Sequence, residues 1–379
     1  MSLALNDEER MLKDVAHAFF QEKLPIKALR QLRDNHDPVG FDRAAWAAMA
    51  ALGWAGILIP ESYGGVGFGY KGLGQVLEES GRTLAASPLI ATALIGAPLL
   101  LASASVAHKQ TLLPAIAAGG CLLALAHDEQ PRHHPSHIAT RAETVGAGYV
   151  LNGAKTFVLD GHVADQLIVV ARTSGAIDAT VGISLFLMAA TMPGITRTRT
   201  HLVDHRNAAN VVFEDVALPA DALLGVRDQG YATLTAVLDG ARAGLAAEML
   251  GSALEAFERT IAYLKLRKQF GVAIGSFQAL KHRAAVMFCE LELTRSAVMA
   301  ALDAIDHGRA DGAQLASLAK AKACDTFELI SNEAVQLHGG IGMTDAEEIG
   351  FFLKRARVAQ ASFGDAGFQR ARYAELMGL

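Results

Sequence analysis

The sequence has little with which to build an exported, membrane-spanning or nucleic-acid-binding protein. Three of its 379 residues are cysteines, Cys121, Cys289 and Cys324. They lie far apart, without the short spacing of metal ligands, and read as free thiols in a reducing compartment. No apolar run reaches the ~18–20 residues that a membrane span needs; residues 88–107 come nearest, and Thr92, Gly96, Pro98 and Ser103 interrupt them. The start is acidic, with no basic region ahead of an apolar stretch, so no secretion signal is read there. Met1-Ser2-Leu3 is given no weight. A formal net charge of −5 gives no electrostatic reason to expect nucleic acid or an anionic membrane as partner. No internal repeat or low-complexity tract is present. The expectation is a soluble, cytoplasmic protein.

What is there is apolar and strongly patterned. With 51% hydrophobic and 19% charged residues, the chain can bury a sizeable core in two or three domains. The first segment, 1–119, reads as helical. Asn6 is placed to cap a helix whose first turn holds Asp7, Glu8 and Glu9, where negative charge meets the helix dipole. Met11, Leu12, Val15, Phe19 and Phe20 follow at helical spacing. Further helices are predicted over 42–52, 72–83, 88–101 and 106–118, and the glycine-rich stretch 60–69 reads as loop. The middle segment, 120–222, changes period. Short runs at 122–126, 149–151, 167–171, 183–188 and 209–213, rich in apolar and β-branched residues, predict antiparallel strands. One loop there carries Pro131-Arg132-His133-His134-Pro135-Ser136-His137. The last segment, 223–379, is predicted helical over 232–267, 277–307, 311–338 and 345–352; such long alanine- and leucine-rich runs usually make a bundle.

Two stretches of that last segment carry the most information. They are Tyr263-Leu264-Lys265-Leu266-Arg267-Lys268-Gln269-Phe270-Gly271, followed by Phe277-Gln278, and Gln336-Leu337-His338-Gly339-Gly340-Ile341-Gly342. Each sets polar groups and glycines at the end of a helical run. A guanidinium suits phosphate oxygens because its donors form a fixed planar fork, and a glycine pair lets a flat or phosphorylated ligand approach the main chain. Singly, each also reads as an ordinary helix C-cap.

With these motifs the chain resembles an acyl-CoA dehydrogenase over nearly its whole length. The resemblance also runs through Pro60-Glu61-Ser62-Tyr63-Gly64-Gly65, Tyr149-Val150-Leu151-Asn152-Gly153-Ala154-Lys155 and Val212-Phe213-Glu214-Asp215-Val216. Arg172-Thr173-Ser174-Gly175, Gly225 and Phe363-Gly364-Asp365-Ala366 make it most similar to a bacterial branch that includes the small subunit of pimeloyl-CoA dehydrogenase. The resemblance implies an α+β fold: an N-terminal all-α domain, a middle antiparallel β-barrel-like domain and a C-terminal four-helix bundle. It also implies FAD as cofactor and an acyl-CoA thioester as substrate. An electron-transfer flavoprotein is the implied acceptor; an oxidase passing electrons to oxygen is a weaker option. Relatives assemble as dimers of dimers through the bundle, so a homo-oligomer (dimer or tetramer) or a hetero-oligomer with a paralogous subunit is expected.

Carried over residue by residue, the resemblance places Arg267, Gln278 and Phe270, with neighbouring Gln269, at the diphosphate and adenosine part of FAD. Gln336, Gly339 and Gly340 fall in the other half of a crossed-over arrangement in which two chains hold each FAD. Phe157 and Val158 match the segment that meets the isoalloxazine, with Phe157 in place of the usual tryptophan; it also reads as an inward strand residue. The family's next flavin contact is a Thr-Glu pair, of which Glu129 is retained while Asp128 replaces the threonine; a threonine can donate to the flavin edge, whereas an ionised carboxylate only accepts hydrogen bonds. His133, His134 and His137 read as a solvated loop rather than a metal site, because no carboxylate or cysteine at ligand spacing completes the set.

The implied chemistry is αβ-dehydrogenation: a carboxylate removes the α proton, the β hydrogen leaves as hydride to flavin N5, and hydrogen bonds polarise the thioester oxygen. Relatives draw the carboxylate from one of two positions, occupied here by Phe363 and Ala241. Asp365 is the nearest substitute and also reads as the N-cap of the last helix. Glu248, two turns beyond Ala241 on the same helical face, reads either as a base or as a structural partner of an arginine. Arg242 is placed to orient a carboxylate, and Asp239 falls near the acyl or CoA portion or on a solvated face. A catalytically weak or silent partner subunit is therefore the alternative to an active dehydrogenase.

Overall fold

The computed structural model describes residues 4–379, so Met1-Ser2-Leu3 lies outside the described residues. The chain begins with helices α1 (Asp7–Lys23), α2 (Ile26–Asp34), α3 (Arg43–Ala51), α4 (Gly69–Arg82), α5 (Ala97–Ser103) and α6 (Val106–Ala117), with a π-helical stretch, Leu89–Gly96, leading into α5. Strands come next: β1 (Leu123–Ala126), β2 (Arg141–Val145), β3 (Gly148–Leu159), β4 (Gln166–Arg172), β5 (Ile183–Ala189), β6 (Ile195–His201), β7 (Asn207–Leu218) and the short β8 (Leu223–Leu224). Helix α7 (Gly230–Leu266) leads to a small hairpin, β9 (Lys268–Gln269) and β10 (Val272–Ala273). The chain ends with α8 (Gln278–Asp306), α9 (Gly312–His338), α10 (Ile349–Ala361) and α11 (Ala366–Leu376).

These elements form two compact units that cut across the linear segments. One comprises the residues up to Asn35, Tyr70–Ala85 and Arg242–Leu379; the other comprises His36–Gly69 and Ala86–Ala241. The N-terminal helical segment is thus divided between them.

In the first unit, α9 shows why the bundle forms. Ala316, Ala319, Ala323, Phe327, Ile330 and Ala334 recur every three or four residues and are fully buried, giving one apolar stripe. At the crossing of α4 and α7, Gly81 and Gly251 bring main chain against main chain: a Cβ at either would overlap the backbone of Glu248 or Glu78. The Ser252 hydroxyl donates to Gly81 O at 2.9 Å across the same contact. Helix α1 starts as its sequence predicts. The Asn6 side chain accepts from Glu9 N at 2.8 Å, and the Glu9 carboxylate accepts from Asn6 N at 2.9 Å, a reciprocal cap.

In the second unit the strands run in the order β6-β7-β3-β2-β4-β5-β8, with β1 also paired to β4. Neighbours are antiparallel except at β4, which is parallel to β1 and, through one residue pair, to β2. Strand β1, which follows α6, is tied to the π-helical stretch, where the Thr92 hydroxyl bonds both Leu123 O (3.2 Å) and Leu123 N (3.1 Å). One face of the sheet buries Leu151, Val169, Phe186, Val211 and Phe213 in a common core.

Candidate cofactor and substrate site

The two sequence motifs meet in the first unit. Tyr263, near the end of α7, stacks on His338, the last residue of α9, with ring centroids 4.5 Å apart and planes 25° apart. One chain therefore presents both motifs side by side, which corrects the expectation that Arg267 and the Gly339-Gly340 helix end come from different chains. Arg267 comes one turn after Tyr263, its N–H bonded to Tyr263 O at 2.8 Å. It is exposed, and among the described residues its guanidinium makes no hydrogen bond or ion pair. Gln269 ends β9 and Phe270, with Gly271, forms the tip of the hairpin, Phe270 at φ 55° and 89% exposed; Gln278 opens α8 and is exposed. Gln336 is exposed at the end of α9. Gly339 closes α9 at φ 66°, ψ −144°, a conformation essentially restricted to glycine. A Cβ at Gly339 or Gly340 would meet nothing within 4 Å, so the main chain there stands open.

The same unit holds the turn between α10 and α11. Phe363 (φ 58°) and Gly364 (φ 97°) form it, and Asp365 caps α11 by accepting from Phe368 N at 2.8 Å through Oδ1. The Asp365 Oδ2 atom makes no hydrogen bond among the described residues. The turn is held from three sides. Arg242 Nε donates to Phe363 O at 3.2 Å, Gln369 Nε2 donates to Phe363 O at 2.7 Å, and Lys320 Nζ donates to Gly364 O at 3.1 Å. Lys320 also reaches Ala359 O at 3.0 Å and Cys324 Sγ at 3.1 Å. Burial pushes the Lys320 amine below its usual pKa and Arg242 adds to the fall, while Cys324 and Asp365 oppose it. The sequence reading missed Lys320, although its spacing from Ala316, Ala323 and Phe327 places it on the buried stripe of α9.

The two usual base positions are closed. Ala241 is fully buried and Phe363 is 8% exposed. Glu248 is engaged by α10: its Oε1 lies 2.9 Å from both Nε and Nη2 of Arg355. Of the two sequence readings for Glu248, the structure shows the arginine pair. Asp239 is buried on the α7 segment that belongs to the second unit.

In the second unit Glu129 is fastened from three sides. Its oxygens accept from Ala139 N (2.6 Å), Thr140 N (2.9 Å) and Lys155 Nζ (2.7 Å). Burial works against its ionisation, but the Lys155 charge and these hydrogen bonds hold the carboxyl below its ordinary range. Burial pushes Lys155 down to about 8, against the pull of Glu129. Phe157 is not an ordinary strand residue. It sits at φ 54° where β3 slips register against β7 between Lys155 and Val158, a bulge that turns the Thr156 N–H onto Asp128 O at 2.8 Å. Val158 is buried in the sheet core. The reading of His133 as part of a solvated loop is corrected. Its side chain is 2% exposed, and Nδ1 lies 2.9 Å from the Asp128 carboxylate, because the loop doubles back so that Pro135 O meets His127 Nε2 at 3.1 Å. His137 pairs with Asp178 at 2.5 Å, and His134 packs edge-on against His137.

Three family models cover the chain in order: acyl-CoA dehydrogenase N-terminal domain over residues 6–120, middle domain over 125–216 and C-terminal domain over 228–378. They define the class as FAD-dependent oxidoreductases acting on acyl-CoA. The chain belongs to the acyl-CoA dehydrogenase family. It is 31% identical over 377 residues to a probable acyl-CoA dehydrogenase, YngJ, of Bacillus subtilis, covering 98% of each chain. Its fold is similar to butyryl-CoA dehydrogenase from Megasphaera elsdenii (TM-score 0.92, 27% identity, 100% of both chains). It is equally similar to a chain from work on the electron transferring flavoprotein of Acidaminococcus fermentans (TM-score 0.92, 29% identity, 100% and 99% covered). No helix among the described residues is long and apolar enough to cross a membrane.

Proposed function

We propose that the chain catalyses αβ-dehydrogenation of an acyl-CoA thioester with Asp365 as its base. The observation that carries this reading is the uncommitted Oδ2 of Asp365, on a turn whose carbonyls are fixed by Arg242, Lys320 and Gln369. A carboxylate there can take the α proton while its other oxygen keeps the cap. Arg242, with Asp239, belongs to the substrate side of the reading. FAD, when bound, supplies the acceptor for the β hydrogen, and loss of both hydrogens leaves a Cα=Cβ double bond.

Arg267, Gln269, Phe270 and Gln278 would hold the diphosphate and adenosine end of FAD, with Gln336, Gly339 and Gly340 beside them. The uncommitted guanidinium and the open glycine main chain support this. Phe157 and the main chain of Val158 would face the ring system, and Glu129 would act by fixing the segment up to Thr140. The acceptor in this reading is an electron-transfer flavoprotein, in keeping with the similarity to the Acidaminococcus study. The exposed Leu266, Phe270 and Met343 support assembly through the bundle. The likeness of the 172–175 and 363–366 segments to the pimeloyl-CoA dehydrogenase small subunit favours a dicarboxylyl-CoA substrate.

A second reading, a partner subunit without turnover of its own, rests on the apolar, buried residues at both usual base positions. One experiment separates the two. The protein is purified alone, its flavin absorbance recorded, and straight-chain and dicarboxylyl-CoA esters added anaerobically. Bound FAD that bleaches with an acyl-CoA in the parent protein, and stays oxidised in Asp365→Asn, supports the first reading. A colourless protein that acquires flavin only with a co-expressed paralogue supports the second.

A further inference from the structure

Three potential metal ligands converge where β1 ends, at Asp128, which stands where the resemblance has the threonine of the flavin-contacting Thr-Glu pair. His127 Nδ1 lies 3.6 Å from Asp128 Oδ1, His133 Nδ1 lies 2.9 Å from the same oxygen, and all three ligand atoms fall within 4.8 Å of one another. Donors bound tetrahedrally at about 2.0–2.2 Å from one zinc ion stand roughly 3.3–3.6 Å apart, so the observed spacings bracket the requirement. The imidazole planes are 79° apart, which keeps the rings from stacking and lets both nitrogens face the carboxylate.

The surroundings also set the tautomer. His127 Nε2 lies 3.1 Å from Pro135 O. A carbonyl only accepts, so Nε2 carries the proton and Nδ1 presents its lone pair. An outward N–H on a carbonyl is the usual support of a metal-bound histidine. The two histidine side chains are 4% and 2% exposed and Asp128 is 19% exposed, so the cluster is walled on the imidazole side and open on the carboxylate side. Lys155 donates to His127 O at 3.0 Å and Thr156 N–H to Asp128 O at 2.8 Å, which fixes the main chain of both residues.

We propose that His127 Nδ1, Asp128 and His133 Nδ1 form a binding site for one divalent transition-metal ion of the zinc class. Two imidazoles and a carboxylate are a borderline donor set that suits such ions better than calcium or magnesium. The ion takes the place of the direct contact between His133 Nδ1 and Asp128, and water reaches the remaining position past Asp128. Occupancy fastens the loop from His127 to His133 to the end of β1.

The test uses the purified full chain, stripped with chelator and titrated calorimetrically with Zn2+. One ion per chain is expected, with affinity lowered at least about tenfold in His133→Ala and in Asp128→Asn. His134→Ala, on the same loop but outside the cluster, should titrate like the parent. Added Zn2+ should raise the melting temperature of the parent and leave His133→Ala unmoved; the melting curve of each metal-free variant also shows that it is folded. Anomalous diffraction at the zinc edge should place the ion between His127 and His133. No uptake by the parent, or equal uptake by the parent and His133→Ala, overturns the proposal.

Discussion

Glu248 and Arg355 form a buried ion pair in which Nε and Nη2 of the guanidinium both lie 2.9 Å from one carboxylate oxygen. It joins α7 to α10 inside the first unit. Removing one partner of a buried pair strands the other charge and costs about 3–5 kcal/mol. Glu248→Ala should lose stability on that scale in chemical denaturation. At temperatures where Glu248→Gln stays folded, its turnover should approach that of the parent; a collapse of turnover in a folded Glu248→Gln would reinstate Glu248 as base.

Asp365 carries two jobs that substitution can separate. Asparagine caps a helix about as well as aspartate, whereas alanine forfeits the cap at a cost of ~1 kcal/mol. Asp365→Asn should therefore melt like the parent while losing acyl-CoA-dependent dye reduction. Asp365→Ala should lose both. Full turnover in Asp365→Asn would remove it as the base.

Gly339 and Gly340 both face open space but differ in backbone. Alanine at Gly339 meets the strain of φ 66°, ψ −144°, of order 1–3 kcal/mol. Alanine at Gly340, which is outside the left-handed region, should leave thermal stability unchanged. Yet its methyl group would occupy the surface proposed to receive the dinucleotide. Gly340→Ala should purify folded with less bound flavin, read as the ratio of visible to ultraviolet absorbance. Parent-like flavin content would place the cofactor elsewhere.

Acid should weaken the second unit through His162. Burial, reinforced by the neighbouring Arg199 and Arg197, pushes this imidazole down to about 4 from 6.5, while hydrogen bonds to Val39 and Pro38 carbonyls pull the other way. The folded chain thus keeps His162 neutral where the unfolded chain protonates it. Stability from this residue is complete above about pH 6.5 and declines as pH falls toward 4. Denaturation midpoints at pH 7.5 and 5 should differ less in His162→Gln, which retains a donor for Val39 O, than in the parent.

Much of the fold was legible because burial and periodicity coincide. The stripe Ala316, Ala319, Ala323, Phe327 announces α9, and Asn6 with Glu9 announces α1. Strand β6, Ile-Thr-Arg-Thr-Arg-Thr-His, escaped because it lies at the sheet edge and its alternation is polar on both faces. Helix α2 escaped because it is short, rich in arginine and starts at Pro25 without a side-chain cap. At the candidate site, residue type at helix ends singles out Arg267 and the pair Gly339-Gly340, but their roles come only from the family resemblance. The pairing of Glu248 with Arg355, 107 positions apart, could not be read, since nothing in local spacing selects one arginine over another. The approach of Asp128 to His133 was missed for a related reason: proximity depended on how a proline-containing loop doubles back.

The glycine crossing of α4 and α7 bears on how this protein can be divided. Residues 6–120 and 228–378 match separate family models, yet Gly81 and Gly251 leave no room for even a methyl group between them. A fragment ending near residue 120 would carry α4 away from the trough it fills and lay bare peptide groups on both pieces. Neither piece should survive alone as a well-behaved solute, and co-expressed halves should be recovered only as a joined pair. The boundaries that inheritance draws along this sequence are not seams along which the molecule comes apart.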